Sequence, residues 1–251
     1  MKLYHMVFSP TGGTRKVAAA IIGGLEGEAV KVDLTDPDFH TVSLTKEDVA
    51  VISVPSYGGR VPAVAVERLA QVNGQGARAI LVCVYGNRAY EDTLAELEDT
   101  AKQAGFRVVA AVAAVAEHSI ARQFAAGRPD AQDVKQLADF ARQIQAKLSS
   151  GEPGEPAIPG SRPYKKAAGV GMAPKPTKAC IKCGVCAAEC PVQAIDQGNP
   201  KKVDQKACIS CMRCVAVCPH HARRVNPILL SVAGLALKKV CSGRKECELF
   251  L

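Results

Sequence analysis

Residues Lys2–Leu25 read KLYHMVFSPTGGTRKVAAAIIGGL. An apolar run, Lys2–Phe8, leads into a loop rich in Ser, Thr and Gly. The loop opens onto an Ala- and Ile-rich stretch, Thr14–Leu25, of helical character. A strand joined through such a loop to a helix is one βα unit, and its loop leaves backbone N–H groups free to surround an anion. The alternation continues. Strands are expected at Ala29–Leu34, Val49–Val54, Ala79–Tyr85 and Arg107–Val115, and helices at Ala63–Val72, Tyr90–Ala104 and Ala131–Leu148. The strands are nearly continuous in hydrophobicity, as parallel strands covered on both faces are. Five of them, alternating with helices, predict an α/β fold with a doubly wound, five-stranded parallel sheet over residues 1–148.

The chain has 251 residues, 48% hydrophobic and 22% charged, an ordinary balance for a globular protein. Aromatic residues make up only 4%, so a tyrosine in a loop stands out. No segment approaches the ~20 apolar residues of a membrane span. The longest, Pro227–Leu237 (PILLSVAGLAL), reads as a packed helix within a C-terminal helical tail, 227–251. The opening MKLYHMVFS lacks the layout of a signal peptide, and a cytoplasmic location is expected. In that compartment eleven cysteines point to metal rather than to disulfides. Only Cys83 precedes residue 150; the other ten begin at Cys180.

Residues 149–176, SSGEPGEPAIPGSRPYKKAAGVGMAPKP, are rich in Pro and Gly and predict a semi-extended linker. An internal repeat follows. CIKCGVCAAECPVQAI at 180–195 aligns with CISCMRCVAVCPHHAR at 208–223, eight of sixteen positions being identical. Each copy is C-x2-C-x2-C-x3-C-P. Paired cysteines also build zinc sites, but those usually draw on two separated pairs. Three close cysteines and a fourth before Pro form the run of bacterial two-cluster ferredoxins, whose soft thiolates suit an iron–sulfide core. That resemblance implies a small α+β domain over 177–226 holding two 4Fe–4S clusters. It also implies a crossover, because the fourth cysteine of each run ligates the other cluster. One set is then Cys180, Cys183, Cys186 and Cys218; the other is Cys208, Cys211, Cys214 and Cys190.

The net charge of +8 is unevenly placed. Residues 1–150 hold 16 Lys/Arg against 17 Asp/Glu, whereas 151–251 hold 16 against 7. Anionic clusters offset part of this excess. The lysines around the ligands (Lys178, Lys182, Lys201, Lys202, Lys206) either balance the clusters or form a docking face for an acidic redox partner protein. No aromatic platform or helix-turn-helix pattern accompanies the charge, so nucleic acid is not expected. Cys241 and Cys247 are too few for a third cluster; they are either structural thiols or a redox pair. Cys83 reads as a buried small hydrophobe.

Three loops of the first domain follow strands and should meet at one sheet edge, where open α/β sheets bind ligands. The first, Ser9-Pro-Thr-Gly-Gly-Thr14, has neither the G-x-x-x-x-G-K-S/T nor the G-x-G-x-x-G pattern. Its hydroxyls and glycines suit a monoester phosphate. Here the chain resembles flavodoxins, whose phosphate loop reads S/T-x-T-G-x-T, matched by Ser9, Thr11, Gly12 and Thr14. The resemblance implies a flavodoxin-like fold and FMN held by Ser9, Thr11, Gly12, Gly13 and Thr14. It implies flavin contacts from the second loop at Pro55, Ser56, Tyr57, Gly58, Gly59 and Arg60. The third loop would add Tyr85, Gly86, Asn87, Arg88, Tyr90 and Asp92. Gly58-Gly59 would let a peptide flip toward the flavin. Arg60 and Arg88 depart from acidic flavodoxins and would favour the reduced, anionic ring.

A fourth segment, Ala116–Asp133 (AEHSIARQFAAGRPDAQD), sits at the same edge. Asp130 is expected to cap the last helix; the alternative is a lid. His118 reads as structural rather than catalytic. Both domains, their order and these loops resemble flavodoxin–ferredoxin fusions of anaerobes. The resemblance implies an electron carrier exchanging electrons between FMN, two clusters and a partner, directly or through a paired chain in a homodimer. The rival is a flavin-dependent reductase of a small acceptor; a third reading is an FMN-free interaction module. No catalytic residue is assigned.

Overall fold

The sheet strands are β1 (Lys2–Val7), β2 (Glu28–Asp33), β3 (Val49–Pro55), β4 (Arg78–Tyr85) and β5 (Arg107–Val115); helices α1 (Gly13–Ile22), α2 (Ala63–Leu69), α3 (Thr93–Gln103) and α4 (Ala131–Ser149) follow β1, β3, β4 and β5, and a loop joins β2 to β3. A computed structural model describes residues 1–151, 154–167 and 171–251. The strand order is β2-β1-β3-β4-β5, all parallel. This is the flavodoxin-like order, with its switch point between β1 and β3. The expected strands and helices all form, with ends that move by a few residues.

β3, β4 and β5 are buried along nearly their whole length because helices cover both faces. On one face Val17 and Ile21 of α1 pack with Leu137, Ala141 and Ile144 of α4 over Val51, Ile80 and Val112. On the other, Leu69, Leu94 and Leu97 of α2 and α3 pack over Ile52, Leu81 and Ala113. Strand residues of opposite parity feed opposite clusters, the period of two that a strand imposes.

After the linker come β6 (Lys175–Pro176), α5 (Val185–Ala188), α6 (Arg213–Ala216), β7 (Arg223–Arg224), α7 (Pro227–Cys241) and β8 (Glu248–Phe250). β6 and β7 pair antiparallel, as does the bridge Ile195–Val203. The two cysteine runs share one backbone. Each has left-handed residues at Lys182 and Ser210 (φ 61° and 53°), Gly184 and Met212 (82° and 62°), and Gln193 and His221 (49° and 47°). These are pairs in the sequence alignment, so the duplication holds at the level of dihedral angles.

Two features go beyond the expected architecture. β8 adds antiparallel to β5, Val112 opposite Leu249, giving a sixth strand where five were expected. The tail is therefore not wholly helical. The linker, too, is strapped to α3: the N–H groups of Ser161 and Lys165 donate to the Asp92 carboxylate at 2.8 and 2.7 Å, and Arg162 donates to Glu98 and Asp99. The parts of the predicted linker at 152–153 and 168–170 lie outside the described residues.

The cysteine-rich unit is docked on the sheet domain. Buried Arg68 of α2 donates to Leu34 O at 2.5 Å and to Pro191 O at 2.8 Å, Arg213 donates to Pro10 O at 3.3 Å, and Val192 and Ile209 pack against the α2–α3 core. Among the described residues no helix is long and apolar enough to cross a membrane.

Candidate functional site

At the C-terminal ends of β1, β3, β4 and β5 lies a cavity of about 230 Å³. Thr11, Gly13 and Thr14 line its floor at the start of α1. That helix has no acidic residue in its first turn, and the N–H groups of Gly13 and Thr14 stay available to an anion. Gly12 holds φ 91°, a left-handed conformation that favours glycine, and sets the turn without lining the cavity. Ser9 also lies outside the lining. Its Oγ accepts the Arg15 N–H at 3.0 Å and its own N–H donates to Thr35 Oγ1 at 2.7 Å, which staples the loop to the sheet.

From the second loop, Pro55, Ser56, Tyr57 and Gly58 reach the cavity. Gly59 does not line it; a side chain there would collide with Glu91, so the close packing of the third loop requires a glycine. Arg60 is turned away. It forms a two-pronged ion pair with Glu96 (2.7 Å each), donates to Lys165 O at 2.6 Å and lies 4.9 Å over the Tyr164 ring. The expected cation beside the ring is thus committed to α3 and the linker.

The third loop divides likewise. Tyr85, Gly86 and Arg88 line the cavity. Arg88 is paired with Glu91, and this guanidinium together with Lys165 holds the Glu91 carboxyl down at about 2. Asn87 donates to Cys241 O and Gly243 O at 2.7 Å, which anchors the C-terminal segment. Tyr90 packs on Tyr85 with ring centroids 5.3 Å apart and donates to Glu248, and Asp92 holds the linker. Asn87, Tyr90 and Asp92 therefore face chain segments rather than the cavity.

The fourth segment supplies a wall, Ala116 to Ala121. His118 Nδ1 accepts the N–H groups of Ile120 and Ala121 at 3.2 and 3.1 Å, its ring lies over Gly86, and burial lowers its pKa. A neutral ring holding a turn is a structural role. Asp130 caps α4 in a reciprocal box with Asp133. Asp133 also pairs with Arg128 at 2.5 Å in a buried bridge that Arg244 joins from the tail.

Sequence reasoning missed the rest of the wall. Ile209 and Ser210, inside the second cysteine run, complete it, with Met172 of the linker and Ala233 and Leu237 of α7. The Met172 N–H donates to Ser210 Oγ at 3.1 Å. The helix α7 is packed on that side only: Ile228, Leu229, Val232 and Leu235 are exposed.

The cysteines form two shells. One void is lined by Cys180, Cys183, Cys186 and Cys218, the other by Cys190, Cys208, Cys211 and Cys214. Each set takes three cysteines from one run and the fourth from the other. The fourth sulfur of each run accepts a backbone N–H at 3.3 Å, Cys190 from Ala194 and Cys218 from Ala222. Among the described residues no three Cys, His, Asp or Glu converge on a point for a single ion, whereas each void is bounded by four sulfurs. That donor chemistry fits a multinuclear centre better than lone zinc. Burial pushes the Cys211 and Cys214 thiols up to about 12, so they would be thiolates at neutral pH only beside a strong positive charge such as a metal centre. Cys241 packs with Ala121 and Phe124, Cys247 with the α4 face, and Cys83 is fully buried; all three are free thiols.

Residues 179–222 match the family described as the 4Fe-4S dicluster domain. The chain joins a doubly wound sheet of flavodoxin-like strand order to a cysteine-rich unit that matches this family. Among solved structures, the chain is similar to a Streptococcus pneumonia flavodoxin at 18% identity, over 58% of this chain and 97% of that one, TM-score 0.39. It is similar to the Megasphaera elsdenii flavodoxin at 16% identity, over 56% and 98%, TM-score 0.35. A third likeness is to rubredoxin oxygen:oxidoreductase from Desulfovibrio gigas, at 15% identity over 59% and 37%, TM-score 0.40. Comparison with curated proteins returned no match.

Proposed function

We propose that this protein is a flavodoxin–ferredoxin fusion and an electron carrier that holds FMN in the cavity and a 4Fe–4S cluster in each cysteine shell. The observation that carries this reading is the shared wall: Ile209 and Ser210 lie between Cys208 and Cys211 and also line the cavity. Two redox sites with a common wall suit internal electron passage. In that reading Thr11, Gly13, Thr14 and the α1 N-terminus bind the phosphate. Tyr57, Tyr85 and Ile209 exclude water around the ring, and Gly58, at φ 63°, provides a peptide free to turn. When bound, FMN supplies one- and two-electron chemistry and each cluster one-electron chemistry, while the chain supplies binding and electrostatics.

The first cysteine run is the side open to a partner. Ile181, Lys182, Cys183 and Val185 are exposed around the first shell, with Lys178 beside them. Residues 177–188 contain no Asp or Glu, so an acidic redox protein is the complementary partner.

Anaerobic purification with flavin, iron and sulfide analysis tests the cofactors; about eight iron and eight sulfide are expected for two such clusters. Stopped-flow mixing then tests the role. Fast reduction by a reduced ferredoxin and slow reduction by NADH and NADPH is the expected result. Rapid bleaching by a nicotinamide would replace the carrier with the reductase reading.

A further inference from the structure

Position 223 breaks the internal repeat. Its counterpart in the first copy is Ile195, an ordinary buried apolar residue, whereas Arg223 is 3% exposed. A buried guanidinium stays charged and is costly to desolvate unless something anionic offsets it. No carboxylate does so: among the described residues Arg223 takes part in no ion pair. It donates to Pro174 O at 3.3 Å and to Pro200 O, while its buried Nε has no partner. Arg223 is also common to both sets of residues that line the cysteine voids. The position therefore holds a fixed positive charge between two shells of four sulfurs, with an unused donor.

We infer that Arg223 is an electrostatic bridge between the two shells, a permanent cation that favours electron uptake at the metal centre on either side of it. The inference rests on the proposal that each shell holds a 4Fe–4S cluster. Such a centre with four thiolates carries about −2 when oxidised and gains a further negative charge on reduction. A cation at constant distance stabilises the more negative state more, so reduction becomes easier. Because it touches both voids, Arg223 acts on both centres, unlike a surface lysine, which water and salt screen.

The test is an EPR-monitored redox titration of anaerobically purified wild type, Arg223→Gln and Arg223→Lys, with iron and sulfide analysis of each. Arg223→Gln keeps a donor for the carbonyls but loses the charge. Both midpoints are expected to fall, each by at least tenfold in the reduction equilibrium, about 59 mV for one electron. Arg223→Lys, which keeps the charge, should stay near wild type. Unmoved midpoints in Arg223→Gln at full iron content overturn the inference. If Arg223→Gln binds no iron, Arg223→Lys decides: loading at wild-type midpoints upholds a role for charge, whereas equal failure of both makes the residue purely structural and overturns it. A wild type without two EPR-active clusters is a separate outcome that removes the proposed function itself.

Discussion

The two cysteine runs have the same spacing and the same left-handed backbone positions, yet opposite surroundings. Ile181 is 63% exposed, while its counterpart Ile209 packs on the flavodoxin-like core and walls the cavity. Lys182 is exposed; its counterpart Ser210 is buried and holds the linker at Met172. Duplication preserved what a metal centre needs, the four-sulfur shell and its N–H donors, and freed the outer loop to diverge. One copy of that loop became an internal interface and the other remained a surface.

The largest effects should come from the crossover that ties the copies together. Cys218→Ala should halve the iron by emptying the exposed shell, although Cys218 belongs to the second run by sequence. Cys190→Ala should empty the shell beside the cavity and alter the flavin circular dichroism, which Cys218→Ala should leave unchanged. The reverse pattern would break the crossed assignment.

Ile209→Asp sets a carboxylate into the docked wall and should cost about 3 kcal/mol with loss of flavin, read by urea unfolding and flavin fluorescence. The matched Ile181→Asp should stay within about 0.5 kcal/mol of wild type, because its side chain stands in water. Equal costs would mean the two loops are not differently packed in solution. A smaller effect is kinetic: Lys178→Glu with Lys182→Glu should slow reduction by an acidic ferredoxin about tenfold at low salt, and high salt should erase the difference. Lys135→Glu with Arg142→Glu, both exposed on α4, serves as the control of equal charge change.

The smallest effect concerns pH on the cavity wall that only the second copy meets. Burial lowers His118 below its ordinary 6.5. The unfolded chain therefore binds a proton that the native fold resists, and stability falls as pH drops below about 6.5 toward the folded value. His118→Asn, which can still accept the two turn N–H groups, should remove its share of the slope in urea midpoints between pH 7.5 and 5.5. The remainder belongs in part to His5, which burial lowers to about 4. A slope unchanged by the substitution would show that His118 is protonated alike in both states.

The periodic parts of the molecule were legible in the sequence. The strands and helices of the first domain carry long apolar patterns, and the cysteine spacing carried the resemblance that implied the crossed sets. Aperiodic polar contacts were not legible. Nothing near Arg60 shows that Glu96 and Tyr164 will claim it, and nothing near Asn87 shows that the carbonyls of Cys241 and Gly243 will. Half of the third loop is spent on fastening the linker and the tail, which are remote in sequence. β8 escaped notice because three residues are too few to show a period. The wall from Ile209 and Ser210 was hidden by stronger signals, since both sit within a cysteine motif.

β8 has a consequence for how the molecule is made. β5 leaves the ribosome over a hundred residues before its antiparallel neighbour Glu248–Phe250 exists. Until then the sheet has an open edge, a template for pairing with other chains. The whole iron–sulfur segment is synthesised during that interval, so it is in effect an insertion between β5 and the strand that closes the sheet. Cysteine-shell assembly and edge closure thus fall in the same window of biogenesis. A chain starved of iron, or stopped short of Glu248, should be recovered in inclusion bodies.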